Sequence, residues 1–284
     1  MKKIFTLFGI LLVVGGLAFH FARLQLFNAL VPKDAGSLLK EADFPYGQDQ
    51  RHKLDVYVPD QHKGPLPVVV FVHGGSWEEG NKDGYTFAGR ALAAQGFLTF
   101  VINYRLHPQH RYPAFVDDVD LALRWAVENA KSFGGDPEKV FAMGHSAGAY
   151  NVAMAVLHPR YSPNRPKLAG VVTLAGPFDF VPLDSKITIK VFGDVPDLPD
   201  TQPINHAFKD APPFLILHGS ADKTVFPRNA VALDKALREA GAQSTLKMYD
   251  GVSHADMVLG LSTWLRGRAP TLADAVGWMK EKSQ

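Results

Sequence analysis

The chain contains no cysteine. Its covalent framework therefore includes no disulfide, and neither a thiolate metal site nor a cysteine nucleophile is available. An excess of charge is missing too. The 30 Lys and Arg nearly balance the 28 Asp and Glu, which leaves a net charge of +2. No basic stripe runs along the chain, which argues against nucleic acid as a partner. No H-E-x-x-H or comparable ligand spacing appears, and no G-x-G-x-x-G opens a helix. Neither a catalytic metal nor any other cofactor is implied. Internal repeats and low-complexity tracts are absent. Nothing in the composition sets the oligomeric state.

One long apolar run is present, and it lies at the N-terminus. Met1-Lys2-Lys3 is a short basic start, and Ile4 to Phe19 is nearly continuous apolar sequence. This pattern targets a chain to a membrane. A cleaved signal peptide needs a small-x-small site, and Phe19-His20-Phe21-Ala22 is a poor one. An uncleaved anchor is therefore favoured over secretion after cleavage. Lys2 and Lys3 would stay cytoplasmic and the remainder would be extracytoplasmic, periplasmic or at the cell surface. Residues 1–22 are assigned to this segment, 23–45 to a linker with Pro32 and Gly36, and 46–284 to one catalytic domain.

That domain alternates strand and helix. Leu54–Val58 alternates in polarity and reads as an early strand. Pro67–Val72 is a continuous apolar run, as a strand covered on both faces should be, and Leu98–Ile102 reads as a second such strand. Apolar runs at Val140–Met143, Leu168–Leu174 and Phe214–Leu217 repeat the pattern, and Ser244–Tyr249 half-alternates. Tyr85–Gln95, Phe115–Ala130 and Asn229–Ala240 read as helices, the second amphipathic. This rhythm predicts an α/β fold with a mostly parallel sheet and helices on both faces. Residues 177–213, rich in Pro and Asp, break the rhythm and are expected to form a short cap over the site.

The chemistry is concentrated in Gly144-His145-Ser146-Ala147-Gly148. This G-x-S-x-G lies between an apolar strand and a small-residue helix, the context of a nucleophile elbow. A sharp turn there strains Ser146 and lifts its hydroxyl above the sheet. A serine needs a base to take its proton and a carboxylate to orient that base. Asp222 follows a late strand. His254 follows the last strand and is the only histidine beyond His218. Asp250 and Asp256 are rival acids by proximity to His254. The developing oxyanion needs preorganised donors. His73-Gly74-Gly75-Ser76-Trp77 follows the first buried strand, so the N–H groups of Gly75, Ser76 and Ala147 are the candidate oxyanion hole. Trp77 is a candidate wall of the acyl pocket, with packing under the loop as the alternative. His73 is expected to hold its loop by a hydrogen bond. His145 is expected to pack inside the elbow, His218 to end its strand, and His107 and His110 to be exposed.

With these residues in order, the domain resembles the α/β-hydrolase superfamily. More narrowly, it looks like the H-G-G branch of serine esterases and lipases, similar to hormone-sensitive-lipase-like and bacterial feruloyl or acetyl esterase-like enzymes. His73-Gly74-Gly75-Ser76-Trp77, Asn103-Tyr104-Arg105-Leu106, the helix after Pro113, the Ser146 elbow and the Asp222 and His254 loops carry the resemblance, which runs from about Tyr46 to the C-terminus. It implies an α/β-hydrolase fold and cleavage of a small acyl ester. Ser76 stands where many members have a third glycine. The H-G-G-x-W form is shared with kynurenine-formamidase-like enzymes, so an amidase or arylformamidase remains an alternative. A non-catalytic binding module on a hydrolase scaffold is a third. The long N-terminal helical cap of the lipase-like group is not evident.

Overall fold

The computed structural model describes residues 24–183 and 185–284. Residues 24–30 form helix α1. Strands β1 (Ser37–Pro45), β2 (Lys53–Pro59) and β3 (Leu66–Val72) follow, then α2 (Thr86–Ala94) and β4 (Leu98–Ile102). Next come α3 (Ala114–Asn129), β5 (Gly135–His145), α4 (Ala147–Leu157) and β6 (Gly170–Leu174). The chain ends with α5 (Lys186–Phe192), β7 (Phe214–Gly219), α6 (Arg228–Glu239), β8 (Ser244–Tyr249), α7 (His254–Leu259) and α8 (Thr271–Lys282).

The eight strands make one sheet in the order β1-β2-β4-β3-β5-β6-β7-β8. β1 and β2 are antiparallel to their neighbours, and every pair from β4 to β8 is parallel. This is the mostly parallel α/β sheet expected from the alternation, and the α/β-hydrolase architecture that the resemblance implies. The apolar runs are continuous because both faces of the sheet are covered. In β3, Val68, Val70 and Val72 pack in one core with α3 and α4, while Val69 and Phe71 pack in the other with α2 and α8. Strand order reverses around β3 and β5. The carboxyl ends of strands at such a reversal open a crevice where ligands bind. His73 follows β3 there, and Ser146 follows β5.

The expected linker at 23–45 is corrected by the structure. Within it, α1 and β1 are both ordered parts of the domain. The Asn28 side chain donates to the Asp83 carbonyl at 2.6 Å and accepts from the Phe87 N–H at 3.1 Å. β1 pairs with β2 from Ser37↔Pro59 to Pro45↔Lys53. Most of its side chains are exposed, so it carries neither an apolar run nor an alternation. Backbone pairing holds it, and Phe44 anchors its end against Trp125 and Phe133. The apolar segment assigned to residues 1–22 lies outside the described residues. No helix among the described residues is long and apolar enough to cross a membrane.

The stretch 177–213 includes α5 and short 3₁₀ turns at Pro199–Thr201 and Pro203–His206. Ser185 caps α5 by accepting from the Thr188 N–H at 3.0 Å. The Tyr150 hydroxyl, from α4, donates to the Thr201 carbonyl at 2.8 Å and ties this segment to the elbow helix.

Candidate active site

Ser146 sits at φ 54°, ψ −122°, a conformation that non-glycine residues reach only when the surroundings enforce it. Three constraints enforce it here. The Ser146 N–H donates to the Leu174 carbonyl of β6 at 2.9 Å, and its own carbonyl accepts from the Ala149 and Tyr150 N–H groups of α4. The third is close packing. A Cβ on Gly148 would lie 2.2 Å from the Val72 carbonyl oxygen, so α4 can start against β3 only because that side chain is missing.

His254 is the first residue of α7 and follows the β8 end. Its Nε2 lies 2.9 Å from Ser146 Oγ, and its Nδ1 lies 2.7 Å from Asp222 Oδ2. The Ser146 hydroxyl can therefore donate to Nε2 while Nδ1–H donates to Asp222. Ser253 caps α7, with its hydroxyl donating to the Asp256 carboxylate at 2.6 Å. This cap fixes the turn that aims His254, and it also occupies Asp256. Asp250 accepts from the Ser220 hydroxyl at 3.0 Å. Both rival acids therefore have other partners, and Asp222 is the carboxylate at the imidazole.

Asp222 is almost wholly buried. Burial by itself pushes its carboxyl pKa up. Hydrogen bonds from His218 and His254, the charge of His254 and the Val225 N–H outweigh burial and hold it well below the usual carboxylate range. The Thr224 and Val225 N–H groups donate to Oδ1 at 2.8 and 2.9 Å. Asp222 is thus a fixed anion at any ordinary pH.

Sequence reasoning missed the part played by His218. This wholly buried imidazole has its Nε2 3.3 Å from Asp222 Oδ2 and 2.9 Å from the Val225 carbonyl. It braces the Asp222 loop from beneath. The i, i+4 spacing of His218 and Asp222 across a strand end was the available signal.

The His73 loop lies beside Ser146. Gly75 has φ 130°, and a Cβ there would fall 2.0 Å from the Glu79 carbonyl oxygen. Ser76 and Trp77 follow at φ 53° and 60°. The resulting tight curl returns the Glu78 and Glu79 N–H groups to the Gly75 carbonyl. The N–H groups of Gly75, Ser76 and Ala147 take no acceptor among the described residues. His73 is wholly buried and stacked on Tyr104, with ring centroids 4.4 Å apart, and its Nδ1 lies 2.7 Å from the Gly74 carbonyl. Burial pushes its pKa down to about 3, so it stays neutral. The His145 ring is 4.9 Å from the His254 ring, and burial and the charge of His254 lower its pKa to about 3. The other two histidines differ: His107 is buried against Glu78 rather than exposed, and His110 is half-buried.

Trp77 is 3% exposed, and its Nε1–H donates to Asn151 Oδ1 at 2.9 Å. Tyr150 and Phe192 pack against it with their ring planes perpendicular to its own. It walls a cavity of about 260 Å³ together with Ser146, Ala147, Phe180, Ile187 and Val225. Pro177, Phe180, Ser185, Ile187 and Thr188 of the 177–213 segment complete one side of it.

The BD-FAE family model matches residues 54–237, from β2 to α6. The chain belongs to the BD-FAE family. Esterase LipC of Mycobacterium tuberculosis is 34% identical over 217 residues, which is 68% of this chain and 54% of LipC. The isoprenylcysteine alpha-carbonyl methylesterase ICME of Arabidopsis thaliana is 28% identical over 257 residues, 81% of this chain and 60% of that protein. This BD-FAE chain thus spans little more than half the length of these relatives. Esterase B from Lactobacillus rhamnosis, solved with a tributyrin phosphonate, superposes with a TM-score of 0.85 at 21% identity, covering 96% of this chain and 95% of that one.

Another group of this BD-FAE chain has the composition of a metal site. Ligand atoms of His158, Asp200 and His206 lie within 4.8 Å of one another. Each already has a protein partner. The Arg160 N–H donates to His158 Nδ1 at 3.1 Å, which leaves the His158 proton on Nε2, 3.1 Å from Asp200. His206 Nε2 lies 2.8 Å from the Asp200 carbonyl. As built, the group clasps the two 3₁₀ turns to the end of α4.

Proposed function

We propose that this protein is a serine hydrolase that cleaves carboxylic esters through an acyl-enzyme. The observation that carries the reading is the continuous relay Ser146 Oγ–His254 Nε2 and His254 Nδ1–Asp222, at 2.9 and 2.7 Å. Ser146 attacks the ester carbonyl as its proton passes to His254 Nε2. The oxyanion accepts hydrogen bonds from Ala147 N–H and from Gly75 and Ser76 N–H, whose donors are held in place before the substrate arrives. Asp222 stabilises the imidazolium and holds its tautomer. The imidazolium then protonates the departing alcohol. Water, deprotonated by the same imidazole, releases the acid. Trp77 is proposed to wall the pocket. The names of LipC and ICME, both esterases, support ester over amide as the substrate class.

The proposal extends to location. Lys2, Lys3 and the apolar Ile4–Phe19 run support a membrane anchor with the catalytic domain on the extracytoplasmic side. The purified full chain should turn over p-nitrophenyl acetate at least about tenfold faster, by kcat/KM, than N-formyl aniline. The reverse order would make the protein an arylformamidase, and binding without turnover would make it a non-catalytic module.

A further inference from the structure

Two cavities meet at Ser146, and only one of them reaches His254. The first is the 260 Å³ cavity behind Trp77, lined by Ser146 and Ala147 but not by His254. It is smaller than the cavities that usually hold drug-sized ligands. The second, of about 440 Å³, is lined by Gly75, Ser146, Ser253, His254 and Ala255. It shares His145, His254 and Ala255 with a third cavity of about 430 Å³. That third cavity is an apolar groove between α1 and α7, walled by Leu24, Phe27, Tyr85, Val258 and Leu259.

The chemistry orients an ester across this divide. The leaving oxygen must lie at His254 Nε2, because the proton it needs comes from there. The carbonyl oxygen points at the N–H groups of Gly75, Ser76 and Ala147. The acyl substituent is then directed away from His254, into the small cavity. As the acyl carbon–oxygen bond breaks, the His254 proton passes to the alcohol, which leaves along the His254 side.

We propose that the groove between α1 and α7 is the seat of an apolar alcohol, and that the substrate class is short-acyl esters of long-chain alcohols. This rests on the esterase reading above and specifies its substrate. The occupant follows from adjacency, because the groove shares His145, His254 and Ala255 with the cavity at the reaction centre. It follows also from the groove's aliphatic and aromatic walls, which favour an alkyl chain over a polar group.

Hexyl acetate and methyl heptanoate test it, because they are isomers with the long chain on opposite sides of the ester. The full chain is assayed on both, with p-nitrophenyl acetate alongside. The expected kcat/KM for hexyl acetate exceeds that for methyl heptanoate at least about tenfold, the gain from seating two methylenes. Ala255 is exposed and lines both cavities on the His254 side. Ala255→Trp, checked for folding by its melting curve, should collapse that ratio toward one. Equal or reversed rates with p-nitrophenyl acetate still turned over would overturn the partition alone. The groove would then belong to some other apolar chain, such as the segment that joins it at Leu24. A ratio unchanged in Ala255→Trp would also overturn it. Turnover of none of the three esters would overturn the esterase reading together with the partition.

Discussion

At the scale of single residues, Ser146, His254 and Asp222 differ sharply from their neighbours of the same type. Replacing the proposed nucleophile should leave the fold intact, since among the described residues Ser146 Oγ bonds only His254. Ser146→Ala is expected to lower kcat by about 10³-fold or more, with an unchanged circular dichroism spectrum. Asp222→Asn should cost a comparable factor, because an amide cannot stabilise the imidazolium. Asp250→Asn and Asp256→Asn should stay within about tenfold of the parent, since their partners are Ser220 and Ser253. If Asp250→Asn were the most damaging of the three, the assignment of the acid would fail. Asn151→Ala would leave the buried Trp77 N–H without its acceptor. The expected loss is about 1–3 kcal/mol of stability, with a raised KM from a loosened pocket wall, read by denaturant titration and steady-state kinetics.

The buried histidines make a separate prediction about pH. His73 and His145 have pKa values pushed down to about 3 by burial, while in an unfolded chain they titrate near about 6.5. Between those values the unfolded state binds more protons than the folded one. Stability therefore falls as the pH drops from about 6.5 toward 3. The depressed carboxyl of Asp222 contributes in the same direction, at still lower pH. Melting temperatures measured from pH 7.5 down to 4.5 should decline steadily below pH 6.5. A flat profile over that range would show that neither imidazole is held neutral.

At the scale of elements, strand identity was legible where burial wrote it into side chains. β3, β4, β7 and β8 announced themselves by apolar runs or alternation, and β8 has the bounds that its pattern predicts. β1 did not, because it is an edge strand whose side chains mostly face water and whose stability comes from its ladder with β2. α1 was hidden for a related reason. Its fixing contacts, such as Asn28 to Asp83 and Phe87, come from residues more than 50 positions away. The positions of Ser146, Asp222 and His254 could be read because each follows a strand end, and strand ends are set by local pattern. The brace from His218 left only its i, i+4 spacing to Asp222 as a sign, because the contact itself depends on how the chain turns at the end of β7. These elements make a testable demand. A chain starting at Tyr46 lacks α1 and β1 and should melt at lower temperature than one starting at Leu24, by several degrees. Equal melting temperatures would return residues 24–45 to the status of a linker.

At the scale of the whole molecule, the sheet presents one working edge. The loops after β3, β5, β7 and β8 carry Gly75 and Ser76, Ser146, Asp222 and His254, which the proposed mechanism uses as donors, nucleophile, acid and base, and residues of the 177–213 segment line the cavity beside Ser146. If the N-terminal segment anchors the chain, the full protein should stay with membranes through alkaline extraction. Release by alkali, or a mature terminus near Arg23, would contradict the anchor and leave the chemistry untouched. The central claim is a covalent intermediate on one serine, and acid-quenched mass spectrometry during turnover of p-nitrophenyl butyrate reads it directly. The account predicts a p-nitrophenol burst and a butyryl adduct on the peptide containing Ser146, both absent from Ser146→Ala. An adduct on another residue, or full turnover by Ser146→Ala, would contradict it.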